Sequence, residues 1–232
     1  MDLVAQGIWK ALHLLVTLDR EVIGITLLTF EVSASATAIS LLLGIGIGVA
    51  IALNSFTGKR FVVSLVNTGM GLPPVVVGLF VSILLWRSGP LGSLGLLYTP
   101  TAIVIAQSII ATPIIMGITI GAIQSLAPAL RLQILALGAT RRQLVWILVR
   151  EARLPLMAAV MAGFGGVVSE VGASIMVGGN IKGYTRVLTT ATVMETGRGE
   201  FDVAIALSVI LLLASLGANY VLTVIQQHER PR

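Results

Sequence analysis

The chain has 232 residues, 56% of them hydrophobic and 11% charged, with a mean hydropathy of +1.00 and a formal net charge of +5. A soluble domain is nearer a quarter charged, so this much apolar surface excludes a water-soluble globule and makes lipid the solvent. Cysteine is absent, which removes disulfides and Cys-based zinc sites, and the basic residues flank apolar runs, a placement that fits membrane orientation and not nucleic-acid binding.

In chain order, residues 1–21 carry Asp2, Lys10, Asp19, Arg20 and Glu21. They lack the basic head and clean apolar run of a cleavable leader. They read as an amphipathic helix at the membrane surface, with Leu3, Ile8, Trp9, Leu12 and Leu15 as apolar contacts. The membrane-embedded body is expected over residues 22–227 and a short cytoplasmic tail over 228–232.

A membrane span needs about 20 mostly apolar residues. Five stretches qualify: Val22–Leu53, Phe61–Trp86, Thr99–Gln124, Leu154–Val177 and Val203–Ile225. None alternates with period two, so all are predicted helices, and the fold class is an all-α membrane protein. Pro73 and Pro74 fall mid-span in the second stretch and predict a kink, and Pro113 does the same in the third. Breaks of this kind near the bilayer midplane often mark a transport path, although a simple kink would look the same. Glu170 interrupts the fourth stretch. A charge inside a span is costly and faces protein or water, so Glu170 points into the bundle, either as a structural partner for a helix end or a nearby Arg, or as part of a gate or pathway. Glu31 reads as interfacial. Glycine is dense at 44, 46 and 48, at 69 and 71, and at 163, 165 and 166, as close helix packing in lipid requires.

Lys and Arg set the orientation. With the N-terminus outside, the inner segments hold nine basic residues (Lys59, Arg60, Arg131, Arg141, Arg142, Arg150, Arg153, Arg230 and Arg232) against six outside. This favours an outer N-terminus and an inner C-terminus.

The connection between the third and fourth stretches, about 126–153, is helical by pattern and rich in arginine. Gly138 breaks it as a helix-terminating glycine would, and Thr140 with Gln143 predicts a capping box that starts a second helix. A helix–Gly–helix elbow at the inner membrane face is a shape that another protein can push, and an interfacial connector with no partner would share the pattern. No nucleotide-binding Gly-x4-Gly-Lys-Ser/Thr loop exists. Only His13 and His228 are present, and no Gly-x-Ser-x-Gly elbow occurs, so the chain carries no recognisable hydrolase or metal chemistry.

The elbow resembles the coupling loop of binding-protein-dependent ABC permeases of the type I importer fold. Gly138 and Leu154-Pro155 match the ends of that motif, whereas Leu132, Gln133 and Ile134 replace its Glu-Ala-Ala triplet and the Gly-to-Pro interval is four residues longer. A second block, Ser169-Glu170-Val171-Gly172-Ala173-Ser174 followed by Gly178-Gly179-Asn180-Ile181-Lys182-Gly183-Tyr184-Thr185-Arg186, is similar to oxyanion permeases for molybdate and sulfate, and most similar to those for tungstate. Pro73-Pro74-Val75-Val76-Val77-Gly78 matches the second-span signature of the same group.

The resemblance implies a type I importer transmembrane domain, a homodimer, two separate ATPase subunits that bind ATP and Mg, an external oxyanion-binding protein, and a prokaryotic cell membrane. It implies ATPase coupling by Leu132, Gln133, Gly138, Ala139, Arg141 and Arg142. It implies a pathway or gate at Pro73, Pro74, Glu170, Gly172 and Ser174. Asn180, Lys182, Thr185 and Arg186 would form an outer loop that docks the binding protein or meets the anion. An ion-coupled secondary transporter using Glu31 and Glu170 is the competing reading, a passive membrane scaffold is a third, and the sequence does not separate tungstate from molybdate.

Overall fold

The computed structural model describes residues 2–228, so residues 229–232 of the expected tail, with Arg230 and Arg232, lie outside the described residues. No strand occurs among them, and helices follow one another from end to end. Three are long and apolar enough to cross a membrane singly: α2 (Arg20–Leu53), α5 (Pro100–Gln124) and α11 (Phe201–His228). Two further crossings are bent pairs. Helix α3 (Lys59–Met70) meets α4 (Pro74–Leu85) at 99°, and α8 (Arg153–Val168) meets α9 (Gly172–Gly178) at 57°. Counting each pair once gives the five spans expected from the sequence.

Local chemistry sets the helix ends. Asp19 accepts from the Glu21 and Val22 amides at 3.0 Å and so starts α2. Thr99 caps α5, and Pro100 takes the first helical position, where a missing N–H costs nothing. At the other end of α2, Lys59 donates to the carbonyls of Ala52 and Asn54 at 3.0 and 2.9 Å. Arg131 donates to the Leu53 carbonyl at 3.2 Å. Both cations sit where the helix dipole is negative.

Helices α2 and α5 form the central pair. A Cβ on Gly44 would lie 2.8 Å from the Ile115 side chain, and one on Gly48 would lie 2.9 Å from Thr119, so the two backbones approach as only glycine permits. Ser40 Oγ donates to the Ser108 carbonyl at 3.1 Å across the same seam. Gly44 and Gly48 thus fill the packing role expected of the glycines, whereas a Cβ on Gly46 or Gly165 would meet nothing within 4 Å.

The first helix is α1 (Asp2–Val16). It packs along α11 through its small residues, with Ala11 fully buried and Lys10 paired to Asp202. Leu3, Ile8, Trp9, Leu12 and Leu15, expected as apolar contacts at the membrane surface, are exposed on the protein. In lipid a large apolar side chain has no reason to turn inward, whereas small residues let two helices close.

The bundle has two distinct ends. At one, α6 (Pro128–Ala136) and α7 (Arg141–Glu151) form the elbow, with Ile134, Leu144 and Leu148 packed among Val49, Ile123 and Leu156. At the opposite end lie the loop 179–187 and α10 (Leu188–Arg198), fixed when the Leu188 amide donates to Thr29 Oγ1 at 2.9 Å.

Candidate functional site: two broken spans and an elbow

The two bent spans meet at their breaks. In the first, α3 stops at Met70, Pro73 occupies the cap position and Pro74 the first turn of α4. The prolines therefore produce more than the expected kink, because neither supplies an N–H and the chain restarts in a new direction. In the second, Glu170 lies in the gap between α8 and α9 and is 8% exposed. Its Oε1 accepts from the Ala173 amide at 2.9 Å, and its carbonyl accepts from Thr189 Oγ1 at 3.0 Å. Of the two roles left open for Glu170, the structure displays the first: its side chain caps a helix start inside the bundle.

Contact between the breaks is close. A Cβ added to Gly78 on α4 would lie 2.8 Å from the Ala173 Cα, and one added to Gly172 would lie 2.8 Å from Val75 Cγ2. Ser82 Oγ donates to the Met176 carbonyl at 3.3 Å. Ser174 is fully buried and accepts from Gln107 Nε2 at 3.2 Å, while the same nitrogen reaches the Val167 carbonyl at 3.3 Å. Gln107 thus pins α5 to both halves of the broken fourth span. The sequence reading did not single it out, although an amide in the middle of an uncharged run is the signal that marks it.

The opposite-end loop is tied mainly to itself and to α2. Asn180 sits at φ +50°, a turn-forming geometry that Asn tolerates, and donates to the Thr190 carbonyl at 3.4 Å. Thr185 Oγ1 donates to the Gly178 carbonyl at 2.6 Å and accepts from the Ile181 amide at 2.9 Å, which closes the turn. Lys182 and Arg186 both pair with Glu21, at 2.7 and 3.5 Å. Lys182 remains largely exposed, whereas Arg186 is largely buried.

The elbow forms as the sequence predicts. Gly138 has φ +80°, and the Thr140–Gln143 capping box is complete. The amides of Gly138 and Ala139 return to the carbonyls of Leu135 and Ile134, so the turn satisfies its own backbone. Leu132, Gln133, Leu137, Arg141 and Arg142 are all exposed around it, an apolar tip with a basic flank. Ala139 is half-buried.

A cavity of about 890 Å³ opens at the elbow end, lined by Lys59, Arg60, Ser64, Asn67 and Gln124. The polar residues lie one and two turns apart on one side of α3, a stripe that the apolar count of the second span hid. Glu31 is exposed on α2 and makes no ion pair among the described residues. The uncharged stretch from Val32 to Leu53 rises about 33 Å, enough for the hydrocarbon layer.

Five crossings, two of them broken and in contact, with a basic elbow at one end, define a polytopic helical subunit of a membrane transport system. The chain belongs to the family described as the binding-protein-dependent transport system inner membrane component, whose signature matches residues 42–232. It is 42% identical to a probable anion ABC transporter permease protein of Haloferax volcanii, over 85% of this chain and 88% of that protein. It is 38% identical to the tungstate uptake system permease protein TupB of Peptoclostridium acidaminophilum, over 98% of this chain and all of the relative. The molybdenum transport system permease protein ModB of Escherichia coli K12 is 28% identical over 69% of this chain and 77% of its own length. Among solved structures, an amino acid ABC transporter with histidines matches with a TM-score of 0.67 at 18% identity, covering 92% of this chain and 96% of that one, which supports the type I fold.

Proposed function

We propose that this chain is the transmembrane subunit of an ATP-driven tungstate importer. The observation that carries the reading is the end-to-end match to a tungstate uptake permease, 38% identical over 98% of this chain. The geometry supplies a mechanism. Two copies form the path, since five spans enclose little on their own. Two ATPase subunits bind ATP and Mg and dock on the elbow through Leu132, Gln133, Gly138, Ala139, Arg141 and Arg142. An external protein delivers the anion at the loop holding Asn180, Lys182, Thr185 and Arg186, with the N-terminus outside and the C-terminus inside. The chain itself performs no hydrolysis. Residues 1–21 lie at the surface, 22–227 form the permease and 126–153 couple it to the ATPase.

Closure of the ATPase pair moves the elbow. Arg131 and the packing of Ile134, Leu144 and Leu148 carry that motion to α2 and α5. Helix α8 begins directly after α7, and its far end is the Glu170 break, so the same motion reaches α9 and α4. Pro73, Pro74, Glu170, Gly172 and Ser174 then act as a hinge that sets which end is open.

The test is uptake of labelled tungstate into proteoliposomes containing this subunit, with the candidate ATPase inside and the binding protein outside. Uptake is expected to need every component and internal ATP, and tungstate to outcompete molybdate. Uptake that persists without ATP and follows an ion gradient would replace this reading with a secondary transporter.

A further inference from the structure

The cavity of about 890 Å³ beside α3 is lined by groups that a lipid-facing helix does not carry. Lys59 and Arg60 stand at the start of α3, Ser64 and Asn67 follow along it, and Gln124 lines the cavity from the end of α5. From Lys59 to Asn67 the helix rises about 12 Å, so the polar lining runs from the membrane surface into the hydrocarbon layer. Ser64 and Asn67 are exposed, and an exposed amide at that depth faces water or protein and not lipid. The side chains of Arg60, Ser64, Asn67 and Gln124 make no hydrogen bond or ion pair among the described residues. Lys59 gives two of its three donors to the end of α2 and keeps its charge. No acid offsets these cations, because the sequence holds neither Asp nor Glu between Glu31 and Glu151.

We propose that this cavity binds a free, doubly charged tetrahedral oxyanion at the elbow end of the bundle. Arg60 supplies a fork of N–H donors, Lys59 adds charge, and Ser64, Asn67 and Gln124 offer neutral donors further in. The lining stays polar to its deep end, where an acyl chain would bury those groups unpaired, so a free ion is selected over a lipid headgroup. The cavity is many times larger than one such ion, so the ion keeps much of its water and binds weakly enough to leave. That it leaves here rests on the importer reading, whereas the binding itself does not.

The full chain has no cysteine, so Phe56→Cys places a single reporter on the cavity wall and spares every polar group there. In phosphatidylcholine nanodiscs, without ATPase, binding protein or ATP, its labelling by a water-soluble maleimide is measured against sodium tungstate and against sodium chloride at equal ionic strength. Tungstate is expected to slow labelling to a plateau, and chloride to leave it unchanged. Added to the reporter, Arg60→Gln should raise the half-effect concentration about fivefold. Asn67→Leu should raise it less, and Arg87→Gln, beyond the far end of α4, should not move it. Slowing that chloride reproduces, or that survives Arg60→Gln, would overturn the proposal. So would slow labelling in phosphatidylglycerol nanodiscs that tungstate no longer changes, since a lipid headgroup would then fill the cavity. No ion is moved in this experiment, so its failure leaves the import reading standing, and failed import leaves this binding measurable.

Discussion

Two spans of this protein are broken, and they are broken by opposite means. Between α3 and α4 the chain removes donors: Pro73 and Pro74 have no N–H to satisfy, so a 99° bend leaves little unpaired backbone. Between α8 and α9 the chain keeps its donors and adds an acceptor, the buried Glu170 carboxylate on the Ala173 amide, for a 57° bend. The first solution is neutral and tolerates exposure. The second places a charge in the bundle and works only while its partners stay in place. A helix broken in a membrane must resolve its loose backbone groups in one of these ways, and here the two are pressed together through Gly78 and Gly172.

That contrast can be broken in several ways. The largest effect is expected from Gly78→Val. Its Cβ would fall 2.8 Å from backbone that cannot yield, so α4 must leave α9. Uptake should fall below detection, and the purified protein should lose about 1–3 kcal/mol by overpacking, read from its thermal melt. Next comes Glu170→Ala, which strips the cap and leaves a buried amide unpaired, at a cost of about 2 kcal/mol. Glu170→Gln keeps an acceptor oxygen and should retain most of the stability. A Gln variant that folds but does not transport would assign the charge itself to the gate. Gly138→Ala forces a Cβ into φ +80° and should cost about 1–2 kcal/mol, with loss of coupled ATPase stimulation. Pro74→Ala should be mildest, under about 1 kcal/mol, since its backbone position suits any residue. A Pro74→Ala cost equal to that of Glu170→Ala would dissolve the distinction between the two breaks.

What the sequence revealed follows the range of the interactions. Gly138, Thr140 and Gln143 act within one turn of chain, and their elbow appears as the spacing predicts. The break at Glu170 was visible as a charge in an apolar run, but its role as a cap depends on where the helix restarts. The pairing of Glu21 with Lys182 and Arg186 joins distant parts of the chain, and nothing local announces it. Gln107 and the Ser64–Asn67 stripe were submerged in spans that counted as apolar overall.

The central claim is that nucleotide on a partner changes which end of this bundle is open, by way of the elbow. The chain has no cysteine, so Asn67→Cys gives a single reporter on the polar side of α3. Its labelling by a water-soluble maleimide should be measured in proteoliposomes with the candidate ATPase, with and without trapped ATP. The account expects a clear change in labelling rate on trapping, lost when Gly138 and Arg141 are both replaced. A rate that is the same in both states, or that changes equally without an intact elbow, would contradict it.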